Sequence, residues 1–89
     1  MEFNEEFKFL NLEVMKKKNA SELPENEKNF LIINLLDKNN NPCRFFVFNA
    51  DVMKKILSAG YVGLQVLNVI FKLQFNNNNW NVRLVDISE

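Results

Sequence analysis

The side chains best placed for chemistry in this chain are two cations, Lys72 and Arg83, flanked by Gln74 and Asn81. Each lies in a run of alternating hydrophobicity. Leu67, Val69, Phe71, Leu73 and Phe75 share one parity, with Asn68, Ile70, Lys72 and Gln74 between them. Beyond Asn76–Asn79, Trp80, Val82 and Leu84 alternate with Asn81, Arg83, Val85 and Ile87. A period of two marks a half-buried strand, because successive side chains point to opposite faces. Two such runs joined by a short Asn-rich link predict a β-hairpin. If Phe75 lies opposite Trp80, then Leu73 meets Val82, Phe71 meets Leu84, and Lys72 meets Arg83. Phe71, Phe75 and Trp80 are assigned to the core and the cations to the outer face. Like charges paired across strands are unfavourable, so this pair needs a reason. Either the long chains splay into water and are screened, or the pair awaits a phosphate with Gln74 and Asn81 as hydrogen-bond partners.

Lys8 and Arg44 are the further cations assigned to such a patch. Phe7, Phe9 and Phe45 have a parity that points away from the expected core, which makes them candidate stacking platforms for bases. The commoner use of any one Phe is core filling.

Catalytic chemistry finds little support. The chain has no His, so the usual general base near neutral pH is missing. Ser21 and Ser58 lack the context of a nucleophile elbow, and Gly60 and Gly63, the only glycines, build no phosphate-binding loop. Asp86 and Glu89 are read as solvated surface carboxylates. Cys43, the single cysteine, excludes an internal disulfide and, without His, an ordinary zinc site. It is read as a small packed residue at a strand end. The alternative, a redox sensor activated by Arg44, is less favoured. The expectation is a protein without enzymatic activity, metal or cofactor.

The remaining chain must position the hairpin. Phe7–Val14 reads as a first strand, with Leu10, Leu12 and Val14 core-facing and residues 1–5 a flexible lead-in. Asn19–Lys28 is a polar loop broken by Pro24. Asn29–Leu36 is almost continuously apolar, as a central strand would be. Asp37–Pro42 is a turn and Cys43–Phe48 a third strand, paired as Leu35–Arg44, Ile33–Phe46 and Leu31–Phe48 if Asp37 sits opposite Pro42. A one-residue slip would exchange its faces. Asn49–Gly60 is the one helix, capped by Asn49, ended by Gly60, and stapled by Phe48 against Met53. Its buried stripe is Val52, Met53, Ile56 and Leu57.

This gives strand, strand, strand, helix, strand, strand in 89 residues, 47% of them hydrophobic, enough for one small domain. The fold class is mainly β with one helix, and the order is that of the five-stranded, partly open OB barrel. An open α+β or β-grasp sheet is the alternative.

The chain resembles the small OB-fold, single-stranded-DNA-binding-like proteins of phages and mobile elements of low-GC bacteria. The resemblance rests on the Asp37–Pro42 turn leading into Arg44-Phe45-Phe46-Val47-Phe48, the Asn49-capped helix, and the ending Trp80-Asn81-Val82-Arg83-Leu84-Val85-Asp86-Ile87. It implies weak, sequence-tolerant binding of single-stranded DNA. The charge balance, 11 basic against 11 acidic residues, argues against a strongly electrostatic binder. It suits two other readings: a module that binds or inhibits a protein partner, and a subunit that pairs into a homodimer through an edge strand. No apolar run approaches the ~18 residues of a membrane span. The acidic Glu2–Glu6 start differs from the basic start of a signal peptide, so a cytoplasmic location is expected.

Overall fold

The structure is a computed structural model that describes residues 1–88. Five strands and one helix follow the expected order: β1 (Glu2–Lys16), β2 (Asn29–Leu36), β3 (Pro42–Val47), α1 (Ala50–Ala59), β4 (Val66–Asn76) and β5 (Asn79–Ser88). The strands are antiparallel in one sheet of order β3-β2-β1-β4-β5. The sheet curls into a half-barrel whose terminal strands approach each other without a ladder, an OB-like, partly open barrel. Strands β3 and β5, the two ends of the sheet, border an open seam. Glu89 lies outside the described residues.

Strand β1 holds the curl together because it serves both halves. Its residues Glu2–Lys8 pair with β4 and Lys8–Lys16 with β2. The register shifts between Phe9 and Asn11, so Leu10 is the extra residue of a bulge that bends the strand. The strand thus begins at Glu2, well ahead of Phe7. Ahead of the bulge the expected faces are inverted, and Phe7 and Phe9, 4% and 5% exposed, fill the core. Beyond it Leu12 and Val14 keep the expected core-facing side opposite Ile33 and Leu31, Leu12 half-buried against the core and Val14 exposed.

Asp37 explains a second difference. The backbone pairs Asp37 with Asn41, and Asn40 takes a left-handed φ of 62°. That is a three-residue loop closed by a bulged turn, not the four-residue loop assumed from sequence. The register therefore slips by one, giving Leu35–Cys43, Ile33–Phe45 and Leu31–Val47 on the inner face. Phe45 turns inward; Arg44, Phe46 and Phe48 turn outward.

The β4–β5 hairpin has the expected register, including Phe75–Trp80, Leu73–Val82, Phe71–Leu84 and Lys72–Arg83. Asn77 and Asn78 supply the positive φ angles, 50° and 64°, that a type I′ turn requires. A bulge at Val85 then restores Ile87 to the core, against the simple alternation. The hairpin tip outruns the barrel, however. Phe75 and Trp80 stand on the core-facing side, yet are 58% and 67% exposed because nothing covers the tip. Their assignment to the core is corrected on that ground.

The core centres on Phe71, which meets the rings of Phe3, Phe7 and Phe45 at centroid distances of 5.4, 5.8 and 5.1 Å. Each such pair adds ~0.5–1.5 kcal/mol beyond the burial itself. Met53 and Ile56 of α1 close the core from one side, with Val52 half-buried and Leu57 exposed. Asn49 caps the helix as expected, accepting from the amides of Asp51 and Val52, and Gly60 ends it with a φ of 65°. The expected staple is replaced: Phe48 packs on Phe30 and Phe46 on the outer face. Two short 3-10 turns, Ala20–Glu22 and Glu25–Glu27, shape the polar β1–β2 loop.

Candidate nucleic-acid interface

The outer face of β4–β5 carries the expected polar quartet. Lys72 lies directly opposite Arg83 and Gln74 opposite Asn81, on the side away from Phe71 and Leu73. Lys72 also has Glu2 as its partner across β1. The cation pair therefore has an acidic neighbour on one flank, which offsets part of its repulsion.

At the seam this quartet meets the outer face of β3. One groove of ≈ 220 Å³ includes Phe48, Asn49, Lys72, Gln74 and Arg83 in its walls. A second, of ≈ 380 Å³, includes Arg44, Phe46, Phe48, Val82 and Arg83. Arg83 and Phe48 are common to both. The structure thus brings Lys72, Gln74, Arg83 and Arg44 to one stretch of surface, with Asn81 beside it on the hairpin.

Four other expected residues do not join them. Phe7 and Phe9 are buried, so neither ring can stack on a base. Phe45 borders the second groove, but its ring packs inward on Phe7 and Phe71. Lys8 sits on β1, the middle strand, and so on the far side of the barrel from the seam. Its ammonium donates to Asn40 Oδ1 at 3.3 Å, beside the β2–β3 turn.

The stacking surface that the sequence reading missed lies on β2–β3. Phe46 and Phe48, 50% and 52% exposed, have rings stacked at 6.4 Å with 17° between their planes. Phe30 packs against both, at 6.1 and 5.2 Å. The Lys17 ammonium lies 6.0 Å from the centre of the Phe48 ring. An Asp-Lys-Asn-Asn-Asn turn read as a three-residue loop would have revealed these rings, since it sets the slip that turns them outward.

Arg44 is held by Glu13 at 3.4 Å, and Glu13 also accepts from Asn34, which in turn donates to Asn11. Both partners of that ion pair are largely exposed, so the pair is weak and exchangeable. Elsewhere, Lys55 donates to Asp86 at 2.9 Å. Burial raises the Asp86 carboxyl, but the hydrogen bonds from Lys55 and the Ile87 amide outweigh it and leave the pKa lowered. The carboxylate pair considered for Asp86 and Glu89 falls partly outside the described residues.

The Cys43 thiol is pushed up, first by burial and then by the charges of Asp37 and Glu5. A redox sensor needs the opposite shift. Arg44, the expected activator, points to the other face of β3. Among the described residues no group of His, Cys, Asp and Glu could hold a metal ion, and no helix is long and apolar enough to cross a membrane. Comparison with protein-family models, with curated proteins and with solved structures gives no match.

Proposed function

We propose that this is a non-enzymatic, cytoplasmic protein of a phage or mobile element that binds single-stranded nucleic acid weakly and without sequence preference. One observation carries the reading: Lys72 and Arg83 share the seam with Arg44 and the exposed, stacked rings of Phe46 and Phe48. Cations steer a phosphate backbone and aromatic faces accept any base, which is the chemistry of sequence-tolerant single-strand binding. The β2–β3 face is also where OB barrels bind oligonucleotides. Neutral net charge is compatible with a local patch of three cations, but it keeps affinity low.

The test is binding of a labelled oligothymidylate at low salt, followed by a salt titration. Three phosphate contacts predict a slope of log K against log salt of roughly −2. The double change Lys72→Glu with Arg83→Glu should abolish binding and lower the thermal midpoint only slightly, since both sites are exposed although Glu2 then faces a second carboxylate. Phe48→Ala should weaken binding about tenfold, within the ~1–3 kcal/mol of one stacked base. No binding by the parent at low salt, or equal binding by the double variant, would overturn the proposal. The same exposed rings would then serve a protein partner, the module or inhibitor that a neutral surface also suits.

A further inference from the structure

The β4–β5 hairpin tip has a second property, independent of the cations behind it. Its inner side continues the core face beyond the barrel: Phe75, Trp80 and Val82 follow Phe71 in line but lie exposed, with the Phe75 and Trp80 rings 5.2 Å apart. From Leu73 through Val82 no residue carries a charge. Strand β5 ends the sheet, and the seam groove reaches it only from Val82 inward. Soluble proteins normally protect such an edge with Lys, Pro, a bulge or a cover. Asn79–Val82 has none of these, and the bulge of β5 lies deeper, at Val85. A two-residue turn between Asn76 and Asn79 fixes the ladder alternation. Asn79, Asn81 and Arg83 direct their backbone groups to β4, which leaves those of Trp80 and Val82 on the open edge.

We infer that this edge receives a second copy of the chain, the two β5 strands pairing antiparallel about a two-fold axis at Asn81. In that register Trp80 exchanges backbone hydrogen bonds with Val82 of the second copy, and Val82 with its Trp80. The two apolar tips then merge, with each Trp80 ring against the other copy's Val82. On the outer face Asn81 meets its own amide and Arg83 meets Asn79, so no like charges are opposed. The occupant is a second copy because this five-residue strip is complementary to itself and the chain's net charge is zero, so two copies do not repel. The interface is small, so association is weak and concentration-dependent. Nothing in this inference depends on nucleic-acid binding.

Sedimentation of the full chain across a concentration series should show a monomer giving way to a dimer. Emission from Trp80, the only tryptophan, should shift to the blue in parallel. Val82→Lys should remain monomeric throughout, with the parent's thermal midpoint at high dilution, because Val82 is exposed in the monomer. A Cys43→Ser, Asn81→Cys chain should cross-link under mild oxidation. A non-hydrogen-bonded antiparallel pair brings the two Cα atoms to ~4.5 Å, within disulfide reach. Cys43→Ser, Asn79→Cys should not cross-link. A parent that stays monomeric with unchanged Trp80 emission would overturn the inference. So would a dimer that tolerates Val82→Lys, or cross-linking as efficient at position 79 as at 81.

Discussion

One side-chain oxygen of Asn49 accepts from two first-turn amides, so its loss leaves both donors unsatisfied. Asn49→Ala should cost about 1 kcal/mol and Asn49→Gly only a few tenths, measured by urea unfolding. Equal loss for the two would mean that the side chain acts outside the cap. Asp37 closes the β2–β3 turn by accepting from the amides of Asn41 and Asn39 and from the Asn41 side chain, and the Asn41 amide is the main reason its pKa lies below 3.8. A depressed carboxylate stabilises the fold above its unfolded pKa and loses that contribution as the pH falls through the folded value. Asp37→Asn should therefore destabilise at neutral pH, and in urea unfolding across a pH series the gap from the parent should narrow as the pH falls through the lowered carboxyl pKa. Trp80 and Phe71 share a face but not a depth. Phe71→Ala should cost ~3–5 kcal/mol, whereas Trp80→Ala in dilute protein should cost ~1 kcal/mol, the worth of one exposed ring pair.

Turn chemistry decided what could be read at the level of strands and hairpins. The β4–β5 register was legible because four consecutive asparagines can supply the two left-handed residues of a type I′ turn between strictly alternating runs. Asn78→Gly should raise stability by a few tenths of a kcal/mol, while Asn77→Val should lower it by ~1–2 kcal/mol, since a β-branched residue resists positive φ; thermal melts would separate the two. The helix was legible for the same reason, through Asn49 and Gly60 at its ends. What failed were the faces of the first half of β1, of β3 and of the end of β5. Bulges at Leu10 and Val85 and the bulged turn at Asn40 each add one residue out of phase, and periodicity carries no mark of a single extra residue. The candidate site inherited that error: the hairpin cations lie on the expected outer face, whereas the exposed rings are Phe46 and Phe48 and not Phe7, Phe9 and Phe45.

On the scale of the whole molecule, β1 is the only strand among the described residues that joins the two halves, and its partners are unequal in distance along the chain. Strands β2–β3 and β4–β5 are hairpins whose pairings are local, but Glu2 meets Lys72 across 70 residues and Phe7 meets Leu67 across 60. Closing so long a loop must precede the contacts that reward it, so the β1–β4 ladder is the slow event of folding. Relaxation in the millisecond-to-second range is expected for such a non-local β topology. In stopped-flow experiments, substitutions within the β4–β5 hairpin should leave their mark on the rate of folding, whereas Phe3→Ala, at the far end of that ladder, should act on the rate of unfolding. Until the ladder closes, Phe71 has neither Phe3 nor Phe7 against it. The half-formed chain would then expose the aromatic centre of its own core, and refolding yield should fall as protein concentration rises.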